Sequence, residues 1–120
     1  MSNTHPIDLD EYQEFVYRIC SPQSKETAKD MLATAALGLT DESGEVAGLV
    51  KKHLYHGHPM DETHLVKELG DVLWYLTLGA IAAGSSLDQV IRTNMEKLRA
   101  RYDGDTFSSE KSLKRVAGDV

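Results

Sequence analysis

Apolar residues return with the 3.6-residue period of an α-helix along four successive segments of this 120-residue chain. No segment alternates with the period of two that a half-buried strand requires. That pattern confines the chain to an all-α fold. The first helix is predicted over about 8–20, with Asp8 as N-cap and Leu9, Tyr12, Phe15, Val16 and Ile19 on its apolar face, and Ser21-Pro22 ends it. A long second helix is predicted over about 26–54, closed by Gly57 and Pro59, and a third over about 61–83, ending at Gly84. The fourth, about 85–102, starts behind Ser85 or Ser86, which stand three residues ahead of Asp88 and Gln89 in capping spacing. Hydrophobic content of 41% is enough for one core. The expectation is a single four-helix bundle-like domain over 1–102 and a polar tail over 103–120, partly ordered against the body or a neighbouring subunit.

A formal net charge of −6 argues against binding to nucleic-acid backbones, which takes clustered cations, and suits a protein that holds cations. The single cysteine, Cys20, has no intrachain partner for a disulfide, so a reducing cytoplasm is the expected compartment and a small buried hydrophobe the expected role. Met1 to Asp10 lack the basic and apolar regions of a signal peptide, and no apolar run approaches the length of a membrane span.

Two pairs of carboxylates at i, i+3 spacing interrupt the apolar pattern: Glu42 with Glu45, and Glu68 with Asp71. Residues three apart share a helix face, so each pair presents its charges in one direction. At 100° per residue, Glu42 falls inside the stripe formed by Ala28, Leu32, Ala35, Leu39, Val46, Leu49 and Val50. Burying an unpaired carboxylate costs several kcal/mol, and none of Gly38, Leu39, Glu45 and Val46, one turn away, can neutralise it. On the third helix Leu65, Leu69, Val72, Leu73, Leu76 and Ala80 form the main stripe, with Glu68 at its margin and Asp71 just beyond; Lys67 is the local cation for Asp71. Acidic helix residues are usually solvated or salt-bridged across helices. Two repeats of the spacing and a core-facing Glu point instead to a Mg²⁺ or Mn²⁺ site, in which carboxylates from two helices hold the ion and substrate phosphates complete its shell. A di-iron or di-manganese bundle would take imidazoles from Glu-x-x-His pairs, and the sequence contains none.

The fourth helix places Asn94 on the face of Leu87, Val90, Ile91 and Leu98, with Lys97 and Arg101 three and seven residues on. An amide, an ammonium and a guanidinium in line suit a polyphosphate chain, although an ordinary amphipathic helix has the same flank. The metal and the anion explain each other. Lys51 and Lys52 are weaker candidates for the same task. His53, His56, His58 and His64 surround the Gly57 to Pro59 loop, but their spacing matches no standard zinc set. Trp74 is expected in the core, with base stacking from a neighbouring subunit as the other reading.

With these residues in view, Leu37 to Ala83 resembles the MazG-like nucleotide pyrophosphohydrolases of the all-α NTP pyrophosphatase superfamily. Leu39-Thr40-Asp41-Glu42-Ser43-Gly44-Glu45-Val46 looks like the family's E-x-x-E motif with its Gly-Glu-Val core. Glu68-Leu69-Gly70-Asp71-Val72-Leu73-Trp74-Tyr75-Leu76 looks like its E-x-x-D motif, and Asn94, Lys97, Leu98, Arg101 and Tyr102 match the later N-x-x-K-L-x-x-R-Y stretch. The resemblance implies hydrolysis of a nucleoside triphosphate between the α and β phosphates to a monophosphate and pyrophosphate. It implies Mg²⁺ held by Glu42, Glu45, Glu68 and Asp71, with Glu42 or Glu45 taking the proton of the attacking water. Asn94, Lys97, Arg101 and Tyr102 would contact phosphates or sugar. Members often carry Pro after the Arg-Tyr pair, where this chain has Asp103. The compact length is closer to the bacterial and phage type, which acts on nucleotide pools; purine deoxynucleotides are the mild preference. A homo-oligomer, dimer or tetramer, is also implied, and agrees with a third helix that is apolar nearly all round, Trp74, Leu78 and Ile81 lying opposite the main stripe. The alternative from another class is a non-catalytic helical oligomer that binds nucleotide or metal for regulation, and release of pyrophosphate separates the two.

Overall fold

The computed structural model describes residues 5–115, 118 and 119. It is all-α, with no strand among the described residues. The helices are α1 (Leu9–Ile19), α2 (Ala28–Tyr55), α3 (Glu62–Ala82), α4 (Leu87–Tyr102) and a short α5 (Ser109–Leu113), with a 3₁₀ turn at Gln23–Lys25. The four expected helices are present. The fifth falls in the expected polar tail, whose residues 116, 117 and 120 lie outside the described set. The chain forms two compact units, Met1–Leu87 and Asp88–Val120.

Side-chain caps set most boundaries. Asp8 accepts the Asp10 N–H at 2.8 Å, as expected. The second helix begins at Ala28 rather than near Glu26, because Thr27 is extended and caps it: its Oγ1 accepts the Asp30 N–H at 3.0 Å and its hydroxyl donates to Asp30 Oδ2 at 2.8 Å. Pro22 instead opens the 3₁₀ turn. Asp61 caps α3 by accepting the His64 N–H. That helix closes on Gly84 at φ 72°, with the Ser85 N–H reaching the Ala80 carbonyl at 2.9 Å, an arrangement that needs a left-handed residue. The start of α4 is held from a distance, since the Leu87 N–H donates to Gln13 Oε1 of α1 at 2.8 Å.

In the first unit, α3 packs against α2 along its length and against α1. The α2/α3 register runs antiparallel: Ala35 meets Gly79, Gly38 meets Tyr75, and Glu42 meets Glu68 and Asp71. The core is small: Val16, Cys20, Ala35 and Leu78 are buried, with Tyr12, Met31 and Trp74 packed around them. Trp74 is thus a packing residue, as expected, and Cys20 is the buried thiol the sequence suggested. A Cβ built on Gly79 would lie 3.5 Å from Ala35 Cβ, in van der Waals contact, so small residues on both helices let them approach. On α3 the buried line is Thr77, Leu78 and Ala80, whereas Leu69 and Leu73 of the expected main stripe are 49% and 41% exposed. A helix apolar all round does not tell from sequence which side meets its own chain. Thr77 is tolerated in the core because its hydroxyl donates to the Leu73 carbonyl at 2.8 Å.

Candidate metal centre

The α2/α3 register carries Glu42 to the same height as the second acidic pair. Carboxylate oxygens of Glu42, Glu68 and Asp71 lie within 4.8 Å of one another, the one group of three potential metal-ligating residues among those described. Glu42 and Glu68 are half-buried and Asp71 is exposed. Glu45, expected as the fourth member, stays outside this group and is exposed one turn further along α2. Glu45 stands on the next turn of α2, about 60° round from Glu42 in direction.

The three carboxylates oppose one another. Burial pushes the Glu42 carboxyl above its ordinary range, and a hydrogen bond with Glu68 and the charges of Asp71, Glu68 and Asp41 push it the same way. The Tyr75 hydroxyl is raised by burial and then by Glu42, Asp41 and Asp71, and Tyr12 by burial and then by Asp71, so two phenols stand in the same negative field. Glu68 has a partner that the sequence reading passed over, since His64 Nε2 lies 2.9 Å from its Oε1. The visible signal was the i, i+4 spacing of His64 and Glu68 on α3, which is the distance at which helix side chains meet.

A cation fits this group. All donors are carboxylate oxygens, the preference of a hard ion such as Mg²⁺ or Mn²⁺. Two oxygens on one such ion are at most about 4.2 Å apart, twice a bond of about 2.1 Å, so small rotations suffice to close a separation of up to 4.8 Å. The raised Glu42 carboxyl is what burial, and then uncompensated negative charge, produce there.

The other predicted residues lie on α4. Asn94 and Lys97 are exposed, Tyr102 is half-buried, and Arg101 is bound bidentately to Asp119. The Tyr102 and Phe107 rings meet at 5.4 Å between centroids with their planes tilted by 51°, and they line a cavity of about 350 Å³ with Met95, Leu98 and Arg99. Asp103, which follows the Arg-Tyr pair, has φ 54°, which a proline ring locked near −65° cannot adopt. His53 Nδ1 is 2.9 Å from the His58 carbonyl, and none of the four loop histidines joins a group of three metal-ligating residues among those described.

The sequence profile described as "MazG nucleotide pyrophosphohydrolase domain" matches residues 30–104, more than half of the chain. The chain is also similar to the Gene 37 protein of Mycobacterium phage L5, 36% identical over 76 residues that cover 60% of this chain and 67% of that protein. No solved structure shows significant similarity to it. The matched span contains Glu42, Glu45, Glu68, Asp71, Asn94, Lys97, Arg101 and Tyr102. No described helix is long and apolar enough to cross a membrane.

Proposed function

The chain belongs to the MazG nucleotide pyrophosphohydrolase family, and on that premise we propose that it is a Mg²⁺-dependent hydrolase that cleaves (d)NTP between the α and β phosphates to (d)NMP and pyrophosphate. The observation that carries this reading is the convergence of Glu42, Glu68 and Asp71 from two helices. These three would hold the ion, with Mn²⁺ as a substitute. When bound, the ion draws charge from the phosphate oxygens and makes water a better nucleophile. Glu45 is exposed beside this group and is the carboxylate left to take a proton from water as its oxygen bonds to phosphorus and the bridging P–O bond breaks. Asn94, Lys97, Arg101 and Tyr102 supply phosphate or sugar contacts by their place in the motif. The nucleotide pool is the proposed source of substrate, with purine dNTP such as dGTP or dATP favoured.

The proposed form is a homo-oligomer, dimer or tetramer. Ile7, Ile19, Leu37, Leu54 and Val66 are each more than half exposed, too much apolar surface on one small unit to leave in water. Purified protein with Mg²⁺ and a panel of canonical and modified (d)NTPs is expected to release monophosphate and pyrophosphate in equal amounts. Glu42→Gln is expected to abolish release while the fold persists. No pyrophosphate from any common NTP or dNTP sinks the enzyme reading, and a fully active Glu42→Gln sinks the site.

A further inference from the structure

Arg101 is engaged by the chain itself. Its Nε donates to Asp119 Oδ2 and its Nη2 to Asp119 Oδ1, both at 2.6 Å, with the two side chains only 9% and 6% exposed. Two parallel N–H bonds to paired oxygens are the geometry in which a guanidinium receives a phosphate. Asp119 arrives there behind Gly118, whose φ of 88° is a conformation that favours glycine. The Asp119 carboxyl is held below its ordinary range, first by the hydrogen bond from Arg101 and then by the charges of Arg101, Arg115 and Lys97. One carboxylate therefore sits in the field of three cations, two of which belong to the N-x-x-K-L-x-x-R-Y stretch.

We propose that Arg101 is the donor of a phosphate site whose internal occupant is the Asp119 carboxylate, and that a polyphosphate binds by displacing Asp119 from Arg101. This rests on the pyrophosphohydrolase reading above. A guanidinium with so little of its side chain exposed needs an anion beside it, so one anion must replace another. A single carboxylate yields to a phosphoanhydride chain, which brings more charge and more acceptor oxygens to the same donors. Because the latch lowers the fraction of binding-competent protein, it weakens apparent affinity by that fraction.

The test is calorimetric titration of inorganic tripolyphosphate into full-length protein in EDTA, which leaves the metal centre out. Asp119→Asn is expected to bind at least about fivefold tighter than wild type, as for a latch closed about 80% of the time. Asp119→Glu, which keeps the charge, is expected to stay close to wild type, and Arg101→Ala to lose binding. In turnover Asp119→Asn is expected to lower KM without lowering kcat. Equal or weaker binding by Asp119→Asn overturns the latch and leaves the phosphate site standing; no binding by either protein overturns both. Should Asp119→Asn not fold, the carboxyl ¹³C resonance of Asp119 in wild type decides. It is expected to move towards that of free aspartate as tripolyphosphate saturates, and a resonance that stays fixed overturns the proposal.

Discussion

The Tyr75 ring lies against Gly38, so closely that a Cβ on residue 38 would overlap the ring carbons Cδ1, Cε1 and Cζ. Only glycine permits that contact, and it sits one turn before Glu42 on the line where α2 meets α3. Gly38→Ala is expected to destabilise the protein by about 1–3 kcal/mol through overpacking, less up to about 1 kcal/mol regained from helix propensity. Urea denaturation measures the sum. In a Tyr75→Ala background the same change is expected to be neutral or stabilising, a coupling of about 1 kcal/mol or more. Equal effects in both backgrounds contradict the contact.

Glu42 links stability to pH and to metal. Its carboxyl is raised in the folded protein, chiefly by burial, so the stability it contributes is full below the ordinary glutamate range and lost as pH rises through the raised value. Metal-free wild type is therefore expected to weaken relative to Glu42→Gln as pH rises from below the ordinary glutamate range through the raised value. Urea midpoints of both proteins in EDTA give that difference, and a flat difference contradicts it. At neutral pH, Mg²⁺ at about 100 times its Kd is expected to return about 2.7 kcal/mol to wild type and little to the variant.

His64 touches the candidate centre at Glu68. Its Nε2 is 2.9 Å from Glu68 Oε1, a contact that fixes the direction of one carboxylate of the group. His64→Ala is expected to weaken Mn²⁺ binding roughly tenfold, in the range found when partners of metal-binding residues are lost, with His64→Gln recovering part of it. Electron paramagnetic resonance titration of free Mn²⁺ reads this directly. An unchanged Mn²⁺ affinity in His64→Ala removes His64 from the centre.

Gln13 fastens the entry of α4. Its Oε1 accepts the N–H of Leu87, a residue only 4% exposed, so Gln13→Leu leaves a buried donor without its acceptor. The expected cost is about 1 kcal/mol, with the upper range near 2 kcal/mol, read from thermal or urea unfolding. Hydrogen exchange at the Leu87 amide is expected to quicken in the variant before exchange in α1, and unchanged protection there contradicts the role.

Much of the site was legible because its signals are local. Glu42 stands in an apolar stripe that offers it no neutralising neighbour, and the motif spacing of Glu68 with Asp71 repeats that of Glu42 with Glu45. The separation of Glu45 from the other three was not legible, because the two acidic pairs carry the same spacing and only the meeting of α2 with α3 ranks them. Arg101 reads as a free phosphate ligand in the sequence, since its partner Asp119 lies eighteen residues on and no period connects them.

The sequence by itself determined the helices, their number up to α5, most of their ends and the candidate ligand set. Periodicity, caps and motif spacing act within a few residues, and a linear sequence displays those terms in full. Tertiary structure decided which side of α3 meets its own chain, that Gly38 must receive Tyr75, that three carboxylates rather than four converge, and that Asp119 holds Arg101. These depend on the register between helices, which arises from side-chain fit between distant residues. Ala35 against Gly79 and Gly38 against Tyr75 are close contacts that large residues would prevent, and by fixing the register they bring Glu42 beside Glu68 and Asp71.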